Sequence, residues 1–234
     1  MKNFEAWNEK MARKYNPDKY HQSSNLIIRF IEGRRTAWII KYLNSQKNDR
    51  IIELGCGAGN IMKKIKFAQE LWGVDLSEFM LDISKQRDYQ VPVRFIKGNL
   101  ESLPEEVINS KFDKIYCSEV LEHVENPARV LKEMRKIAKA NSVIVVSIPN
   151  EKLINRIKII LQKMGIFNFL FSSISKKMDD EWHLHCFDLK KLKEMIDRDY
   201  FIRDVQGIPY DWLPLRYVVK LDVKYEDTIV NPAI

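Results

Sequence analysis

Hydrophobic positions predict alternating strands and helices in the middle of the chain. An apolar run at residues 50–55 breaks into glycines, and helical spacing resumes at residues 60–65. Residues 143–148 are apolar without alternation, which is typical of a strand buried on both faces of a parallel sheet. The pattern therefore predicts an open, doubly wound parallel sheet whose ligands bind at the carboxyl ends of the strands.

The elements between these runs follow the same rule. Apolar runs predict further strands at residues 71–75, 91–96 and 112–117. Ser77 is the predicted N-cap of the helix after the second strand. Asn126 caps a later helix whose first residue is Pro127. Strand and helix therefore alternate regularly up to residue 148.

The two ends of the chain differ from this middle part. Residues 1–48 are rich in aromatic and basic residues, and apolar residues recur there near helical spacing. The recurring residues are Leu26, Ile27, Phe30, Ile31, Ala37, Ile40 and Leu43. We expect a helical N-terminal cover on a domain at residues 49–234, with an insertion at residues 150–187. A helix at residues 188–197 and strands at residues 201–205 and 217–230 are expected after the insertion.

The composition is that of a globular protein. With 234 residues and 45% hydrophobic content, the chain can bury the core of one large α/β domain. No run approaches the ~18 apolar residues of a membrane span, and no signal-peptide core begins the chain, so we expect a cytoplasmic protein. Three widely spaced cysteines are expected to be reduced. The net charge of +7 favours anionic partners, whether nucleic acid, acidic lipid or a phosphorylated metabolite.

A glycine turn follows the first strand. Gly55, Gly57 and Gly59 lie between a strand and a helix, where backbone N–H groups can approach a ligand closely. Their spacing is G-x-G-x-G, whereas a dinucleotide site requires G-x-G-x-x-G. Glu53, two residues before the first glycine, suits a cationic amino-acid group better than a pyrophosphate.

The next two strand ends supply further polar contacts. Asp75 ends the second strand, where a carboxylate can accept hydrogen bonds from both hydroxyls of a ribose. Asn99 and the backbone N–H of Leu100 follow the third strand, where they can bind the edge of an adenine. Three strand ends therefore converge on one adenosine-like ligand.

From Glu53 to Pro149, this combination resembles the class I S-adenosylmethionine-dependent methyltransferases. The resemblance implies S-adenosylmethionine as cofactor, a seven-stranded Rossmann-like sheet with an antiparallel edge, and methyl transfer beside the fourth strand end. Many members have Asp at the position of Asn99, so here a polar contact is kept without the charge. The implied cofactor contacts are Glu53, Gly55, Cys56, Gly57, Gly59, Asp75, Leu76, Asn99, Leu100 and Ser118.

Acidic residues and a histidine follow the fourth strand. Glu119, Glu122 and His123 are three and four residues apart and share one face if the segment is helical. Such a set can bind Mg²⁺ or a transition metal and lower the pKa of a hydroxyl. The segment resembles the E-V-x-x-H-V motif of the demethylubiquinone O-methyltransferases, which implies a divalent-metal role. Alternatively, the histidine packs near the cofactor and the two acids cap or solvate a helix.

Two further histidines, His183 and His185, are candidates for a general base. Because residues i and i+2 point in opposite directions on a strand, at most one of them faces the cofactor. The resemblance favours His185 because it precedes the helix at residues 188–197. The candidate catalytic residues are therefore His123, His185 and Glu119.

The insertion at residues 150–187 combines apolar and basic residues. It predicts either a lid over the substrate pocket or a contact with an anionic membrane. Both indicate an apolar substrate. Residues 207–210 also resemble a loop of the ubiquinone-pathway enzymes.

These observations predict a methyltransferase that acts on an oxygen of a small or lipid-like acceptor. One alternative is an RNA ribose 2′-O-methyltransferase, because some members of that class also use two Glu and a His after the fourth strand. However, no Arg-rich cluster interleaved with aromatic residues marks an RNA track. Another alternative is a catalytically silent, cofactor-binding partner protein.

Overall fold

The computed structural model of the chain describes residues 3–16, 18, 25–170, 181–196 and 198–224. In these ranges, seven strands form one sheet. The strands are β1 (Arg50–Leu54), β2 (Glu70–Asp75), β3 (Val93–Lys97), β4 (Phe112–Ser118), β5 (Ala138–Pro149), β6 (Tyr200–Tyr210) and β7 (Leu213–Val223). The helices are α1 (Phe4–Tyr15), α2 (Leu26–Leu43), α3 (Glu78–Lys85), α4 (Glu105–Ile108), α5 (Pro127–Ile137), α6 (Glu151–Lys163), α7 (Phe167–Leu170) and α8 (Leu189–Ile196).

The strand order is β3-β2-β1-β4-β5-β7-β6. The pairings are parallel except those of β7 with β5 and with β6, which are antiparallel. The order reverses between β1 and β4, and in such sheets the carboxyl ends of the strands at the reversal form a ligand crevice. The predicted doubly wound, mostly parallel sheet with an antiparallel edge is confirmed.

Both predicted helix caps are also confirmed. The Ser77 hydroxyl accepts the N–H of Met80 at 3.3 Å, and α3 begins at the next residue after Ser77. The side-chain oxygen of Asn126 accepts the N–H of Arg129 at 3.2 Å, with Pro127 in the first turn of α5. These caps fix where each helix starts relative to the strand before it.

Connecting segments depart from the expectation. Residues 60–65 form only the 3₁₀ turn Met62–Lys64, because the chain must still reach the start of β2 and is extended from Ile65. Residues 207–210 continue β6 instead of forming a loop, since β6 and β7 pair up to Tyr210. Residues 171–180 of the insertion, Asp197 and residues 225–230 of the expected last strand lie outside the described residues.

Helices cover both faces of the sheet. Val130 and Met134 of α5 and Leu192 of α8 pack against one face. Ile39 and Leu43 of α2 pack against the other. Burial on both sides explains why residues 143–148 of β5 are apolar without alternation.

The apolar residues that recur at helical spacing in α2 are buried only in part, with Ile31 and Leu43 in the core. Leu26, Ile27 and Phe30 are exposed, whereas Ile28 and Ile31 are buried. The ring of Phe30 lies 6.1 Å from that of Tyr210 at the end of β6, so the first turn of α2 contacts the tip of the hairpin instead of the core. Among the described residues, we find no helix with the length and apolar content required to cross a bilayer.

Candidate active site

A cavity opens at the carboxyl ends of the first four strands. Its volume of about 240 Å³ far exceeds the ~10–15 Å³ that a single water needs, so it can hold a ligand. Of the ten residues predicted to contact the cofactor, all but Gly59 line it. The lining residues from that set are Glu53, Gly55, Cys56, Gly57, Asp75, Leu76, Asn99, Leu100 and Ser118.

The glycines of the turn differ in what surrounds them. Gly55, Gly57 and Gly59 all have positive φ, which other residues rarely adopt. A Cβ on Gly57 would meet only the Met80 methyl, at 3.6 Å, so this backbone faces open space in the cavity. A Cβ on Gly59 would lie 2.2 Å from the Tyr89 hydroxyl oxygen. Gly59 is therefore needed for packing, whereas Gly57 leaves space for a ligand.

Two alanine substitutions are expected to separate these roles. Gly59→Ala should lower the free energy of unfolding by about 2–3 kcal/mol, because it combines positive φ with a steric overlap. Gly57→Ala should cost about 1–2 kcal/mol for its φ alone, but its Cβ would occupy the cavity and weaken cofactor binding at least about tenfold. Urea denaturation and calorimetric titration measure the two effects. Equal losses of affinity in both variants would contradict the assignment.

Asp75 connects the glycine turn to the end of β2. Its carboxylate accepts the N–H of Gly57 at 2.7 Å and the N–H of Ser77 at 2.9 Å. Burial raises the pKa of Asp75, while these two N–H bonds oppose the rise. Each carboxylate oxygen has a second lone pair, which can accept a hydrogen bond from a ribose hydroxyl.

Glu53 lies at the other side of the turn. Its carboxylate accepts the hydroxyl of Tyr116 at 2.9 Å. Burial raises the pKa of Glu53 well above its ordinary value, against the lowering effects of Tyr116 and of the Arg35 charge. A buried acid of this kind is suited to pair with an ammonium group. Burial also raises the pKa of Cys56 well above its usual range, which agrees with a tolerated small residue and not with a nucleophile.

Asn99 is held in place after β3. Its side-chain oxygen accepts the N–H of Glu101 at 2.9 Å. This bond orients the amide NH₂ group as a donor, and the neighbouring Leu100 is buried in the cavity wall. The pair can therefore present one donor and one apolar surface to an adenine ring.

Helix α1 contributes a wall that the sequence did not specify. Phe4, Asn8 and Ala12 line the cavity at the helical spacing of four residues. The Ser77 hydroxyl donates to the carboxylate of Glu9 at 2.6 Å, which ties α1 to the start of α3. A helical N-terminal cover was expected, but the residues that would meet the ligand could not be named.

A buried ion network adjoins the cavity at Ser118 and Glu119. Arg35 donates to the Ser118 hydroxyl at 2.7 Å and also pairs with Glu32. Arg216 of β7 donates to Glu119 at 2.8 Å, and the nearest Arg35 nitrogen is 3.8 Å from the same carboxylate. Glu119 therefore lies between two guanidinium groups, and Arg216 and Ser147 each donate to one of its oxygens, which makes it a poor metal ligand.

Arg35→Met is expected to lower the free energy of unfolding by about 3–5 kcal/mol, because it leaves the buried carboxylate of Glu32 without its nearest cation. The double variant with Glu32→Gln should recover part of the loss, since the buried carboxylate, which in Arg35→Met keeps Arg216 at 3.5 Å but has lost Arg35, is also removed. Urea denaturation of the two variants checks this. An Arg35→Met loss below about 1 kcal/mol would show that the pair is hydrated like a surface pair.

The segment after β4 is a turn and not a helix. Glu119 has φ of +54°, and residues 121–125 form turns and bends. The helical premise that placed Glu119, Glu122 and His123 on one face is wrong. Instead, His183 joins Glu122 and His123, and the potential ligand atoms of these three residues lie within 4.8 Å of one another.

Two residues of this cluster, Glu122 and His123, have pKa values that burial shifts strongly. Burial and the charge of Glu119 raise the pKa of Glu122 to about 8. Burial and the neighbouring His183 lower the pKa of His123 to about 3. At neutral pH, which is well above this pKa, His123 is uncharged and a poor proton acceptor. Of the two residues, Glu122 is therefore the one whose pKa suits proton transfer.

His185 does not line the cavity. Its Nε2 lies 3.1 Å from the carbonyl oxygen of Glu125, so the structure does not support its role as general base. His183 instead faces the cluster, with its Nδ1 2.9 Å from a carboxylate oxygen of Glu151. Residues 183–185 do not form a strand, and His183 does not line the cavity either, so the choice between the two histidines stays a prediction.

The strand order, the acid before the glycine turn and the acid at the end of β2 together define a class I S-adenosylmethionine-dependent methyltransferase fold. A family model described as a methyltransferase domain matches residues 45–198. The chain belongs to this methyltransferase domain family.

Curated proteins and solved structures agree with this class. The ubiquinone biosynthesis O-methyltransferase of Coxiella burnetii is 28% identical over 137 residues, covering 56% of this chain and 58% of that protein. The chain thus matches little more than half the length of that relative. The ubiquinone biosynthesis O-methyltransferase of Alkalilimnicola ehrlichii is 24% identical over 204 residues, covering 86% of this chain and 78% of that protein. Magnesium protoporphyrin IX methyltransferase of Synechocystis with bound SAH shares the fold, with a TM-score of 0.65 at 15% identity, covering 95% and 100%.

Proposed function

We propose that the chain transfers a methyl group from S-adenosylmethionine to a hydroxyl oxygen of a small or lipid-like acceptor. One observation carries the choice of oxygen. Glu122 is buried in the cavity wall, its Oε2 has no hydrogen-bond partner among the described residues, and its pKa is about 8. Such a carboxylate can take a proton from an acidic hydroxyl near neutral pH.

In this proposal, some cavity residues would bind the cofactor and others the acceptor. Asp75 and the glycine turn would hold the ribose, while Glu53 would pair with the ammonium group of an amino-acid moiety. The cofactor supplies an electrophilic methyl on a sulfonium. Glu122 would orient the acceptor hydroxyl and accept its proton, and the dry wall around it would exclude water.

The metal proposal changes with the geometry. Glu119 is paired with arginines, so the set to consider is Glu122, His123 and His183. One carboxylate and two imidazoles suit zinc, manganese or iron, whereas Mg²⁺ prefers oxygen ligands. These residues would hold such an ion in contact with the acceptor oxygen, where it would lower the hydroxyl pKa. The proton transfer to Glu122 requires no ion.

The insertion supports an apolar acceptor that is reached from an anionic surface. Helix α6 has no buried residue against the described part of the chain, and the described residues 150–170 do not line the cavity. Ile160, Met164 and Phe169 are exposed on α6 and just after it, near Lys152 and Lys163. This favours a membrane contact over a lid. Sedimentation with vesicles containing phosphatidylglycerol tests it.

The cavity gives less support to RNA. Its two arginines, Arg35 and Arg216, are each paired with a glutamate, so little positive charge is left for a phosphate. Binding of RNA that weakens steeply with salt would restore this alternative. A silent partner protein would bind the cofactor but form no product with any acceptor.

Product formation tests the proposal directly. The purified chain is incubated with S-adenosylmethionine and a panel of phenols, aliphatic alcohols and amines, and S-adenosylhomocysteine is measured. We expect product with phenols, at rates that EDTA leaves unchanged or lowers according to the metal content. Product with amines alone, or product with no acceptor in a chain that binds the cofactor, would contradict O-methylation.

A further inference from the structure

Four residues that line the cavity, Arg35 and Asn60 among them, have a buried polar atom without a partner in the described residues, and two of these atoms belong to neighbouring segments of the wall. They are the indole Nε1 of Trp182 and the Oε2 of Glu122. Trp182 is 7% exposed and Glu122 is 1% exposed, and both line the cavity. Buried donors and acceptors are nearly always hydrogen-bonded, so an unpartnered pair in a cavity wall points to a ligand.

The two groups are held on the same part of the wall. The backbone N–H of Leu184 donates to the carbonyl of Glu122 at 2.8 Å, which fixes the chain after Trp182 to the turn after β4. The ring of His123, the residue after Glu122, lies 4.7 Å from the ring of Trp182. Trp182 and Glu122 therefore border the cavity on the side of the turn after β4.

The orientation of Trp182 is fixed from its other side as well. The ring of Tyr15 stacks on it at 6.0 Å, and the Tyr15 hydroxyl donates to the carboxylate of Glu181 at 2.5 Å. The indole is thus clamped between α1 and His123. A side chain with so little rotational freedom can discriminate between ligands, because it cannot turn to find another partner.

We infer that Trp182 is a specificity-determining residue whose N–H binds a second oxygen of the acceptor, next to the hydroxyl that Glu122 receives. The inference rests on the proposed function and adds the acceptor's chemistry to it. An indole N–H can only donate, so the second atom must be a hydrogen-bond acceptor, such as an ether, carbonyl or hydroxyl oxygen. An acceptor without it would leave a dry N–H unpaired, which disfavours binding.

A comparison of two methoxyphenol isomers tests whether Trp182 donates a hydrogen bond to the acceptor or only packs against it. In 2-methoxyphenol the ether oxygen adjoins the hydroxyl, whereas in 4-methoxyphenol it lies across the ring. With S-adenosylhomocysteine bound, the wild-type chain is expected to bind the 2-isomer about 10- to 100-fold more tightly. In Trp182→Phe, which keeps a ring but lacks the N–H, this ratio should fall to within about threefold. Trp212→Phe, an exposed position, is the matched control and should leave the ratio unchanged.

The indole resonances of ¹⁵N-tryptophan-labelled protein give a second readout. The chain has five tryptophans, and the peak lost in Trp182→Phe identifies that residue. Its proton should move downfield with 2-methoxyphenol but not with S-adenosylhomocysteine alone. A shift with S-adenosylhomocysteine alone would assign the N–H to the cofactor and overturn the inference. Equal weakening of both isomers in Trp182→Phe would reduce Trp182 to a packing role. Failure of both isomers to bind the wild type would overturn the proposed function together with the inference.

Discussion

Asp75→Ala is expected to reduce the affinity for S-adenosylmethionine about 100- to 10,000-fold. A carboxylate that accepts two ribose hydroxyls contributes about 1.5–3 kcal/mol for each bond, and each 1.4 kcal/mol corresponds to a factor of ten. The substitution also leaves the N–H groups of Gly57 and Ser77 without their acceptor, so the glycine turn loses its present shape. Calorimetric titration measures the change.

Matched variants distinguish a lost contact from a damaged fold. Asp75→Asn keeps one acceptor oxygen without the charge and should give an intermediate affinity. Asp82→Ala removes an exposed carboxylate from the helix that follows and should bind the cofactor as the wild type does. Cofactor binding that survives in a folded Asp75→Ala chain would remove the ribose from this end of β2.

The residues expected to contact the cofactor could be predicted from the sequence because their positions depend on short, local features of the chain. A glycine turn, an acid two residues before it and an acid at the end of the next strand have fixed positions once the strands are parallel neighbours. β1 and β2 pair with Glu53 beside Gly73, which brings the two strand ends to one edge. Nine of the ten expected contacts therefore line the cavity, and the exception, Gly59, is still required by packing.

The cavity wall around Glu119 could not be predicted in the same way, because its residues come from distant parts of the chain. Arg35 lies in α2 and Arg216 in β7, and neither stands near a recognisable motif. Their pairing with Glu119 depends on how the helix and the reversed strand meet at the end of β4. Without them, Glu119 had the appearance of a free carboxylate.

Helical spacing alone also misled in two segments. The acids and histidine after β4 have helical spacing, but Glu119 adopts positive φ and the chain turns instead. In α2, Leu26 and Phe30 have the spacing of a core face, yet the first turn of the helix contacts the hairpin tip. Periodicity describes a helix correctly only where the helix lies on the sheet.

Glu122→Gln is expected to lower kcat/KM for methyl transfer about 100- to 10,000-fold, which is the usual contribution of a positioned general base. A base with a pKa of about 8 must lose its proton to act, so wild-type activity should rise with pH up to that value and then level off. The positive sulfonium of the cofactor would move this midpoint lower. The pH dependence of kcat/KM measures both. A Glu122→Gln variant that keeps the wild-type pH profile would rule out Glu122 as the base.

Glu122→Gln is expected to lower activity but to raise stability at high pH. A stability measurement therefore distinguishes loss of the base from loss of the fold. Because the folded pKa of Glu122 is raised above 4.5, the folded state binds the proton more tightly than the unfolded state. That contribution is fully present below about pH 4.5 and is lost as pH rises through about 8. Glutamine stays neutral, so Glu122→Gln should be more stable than the wild type at pH 9 and similar at pH 4. Urea denaturation at the two pH values checks this, and an inactive variant that is also more stable at high pH would have lost its base and not its fold.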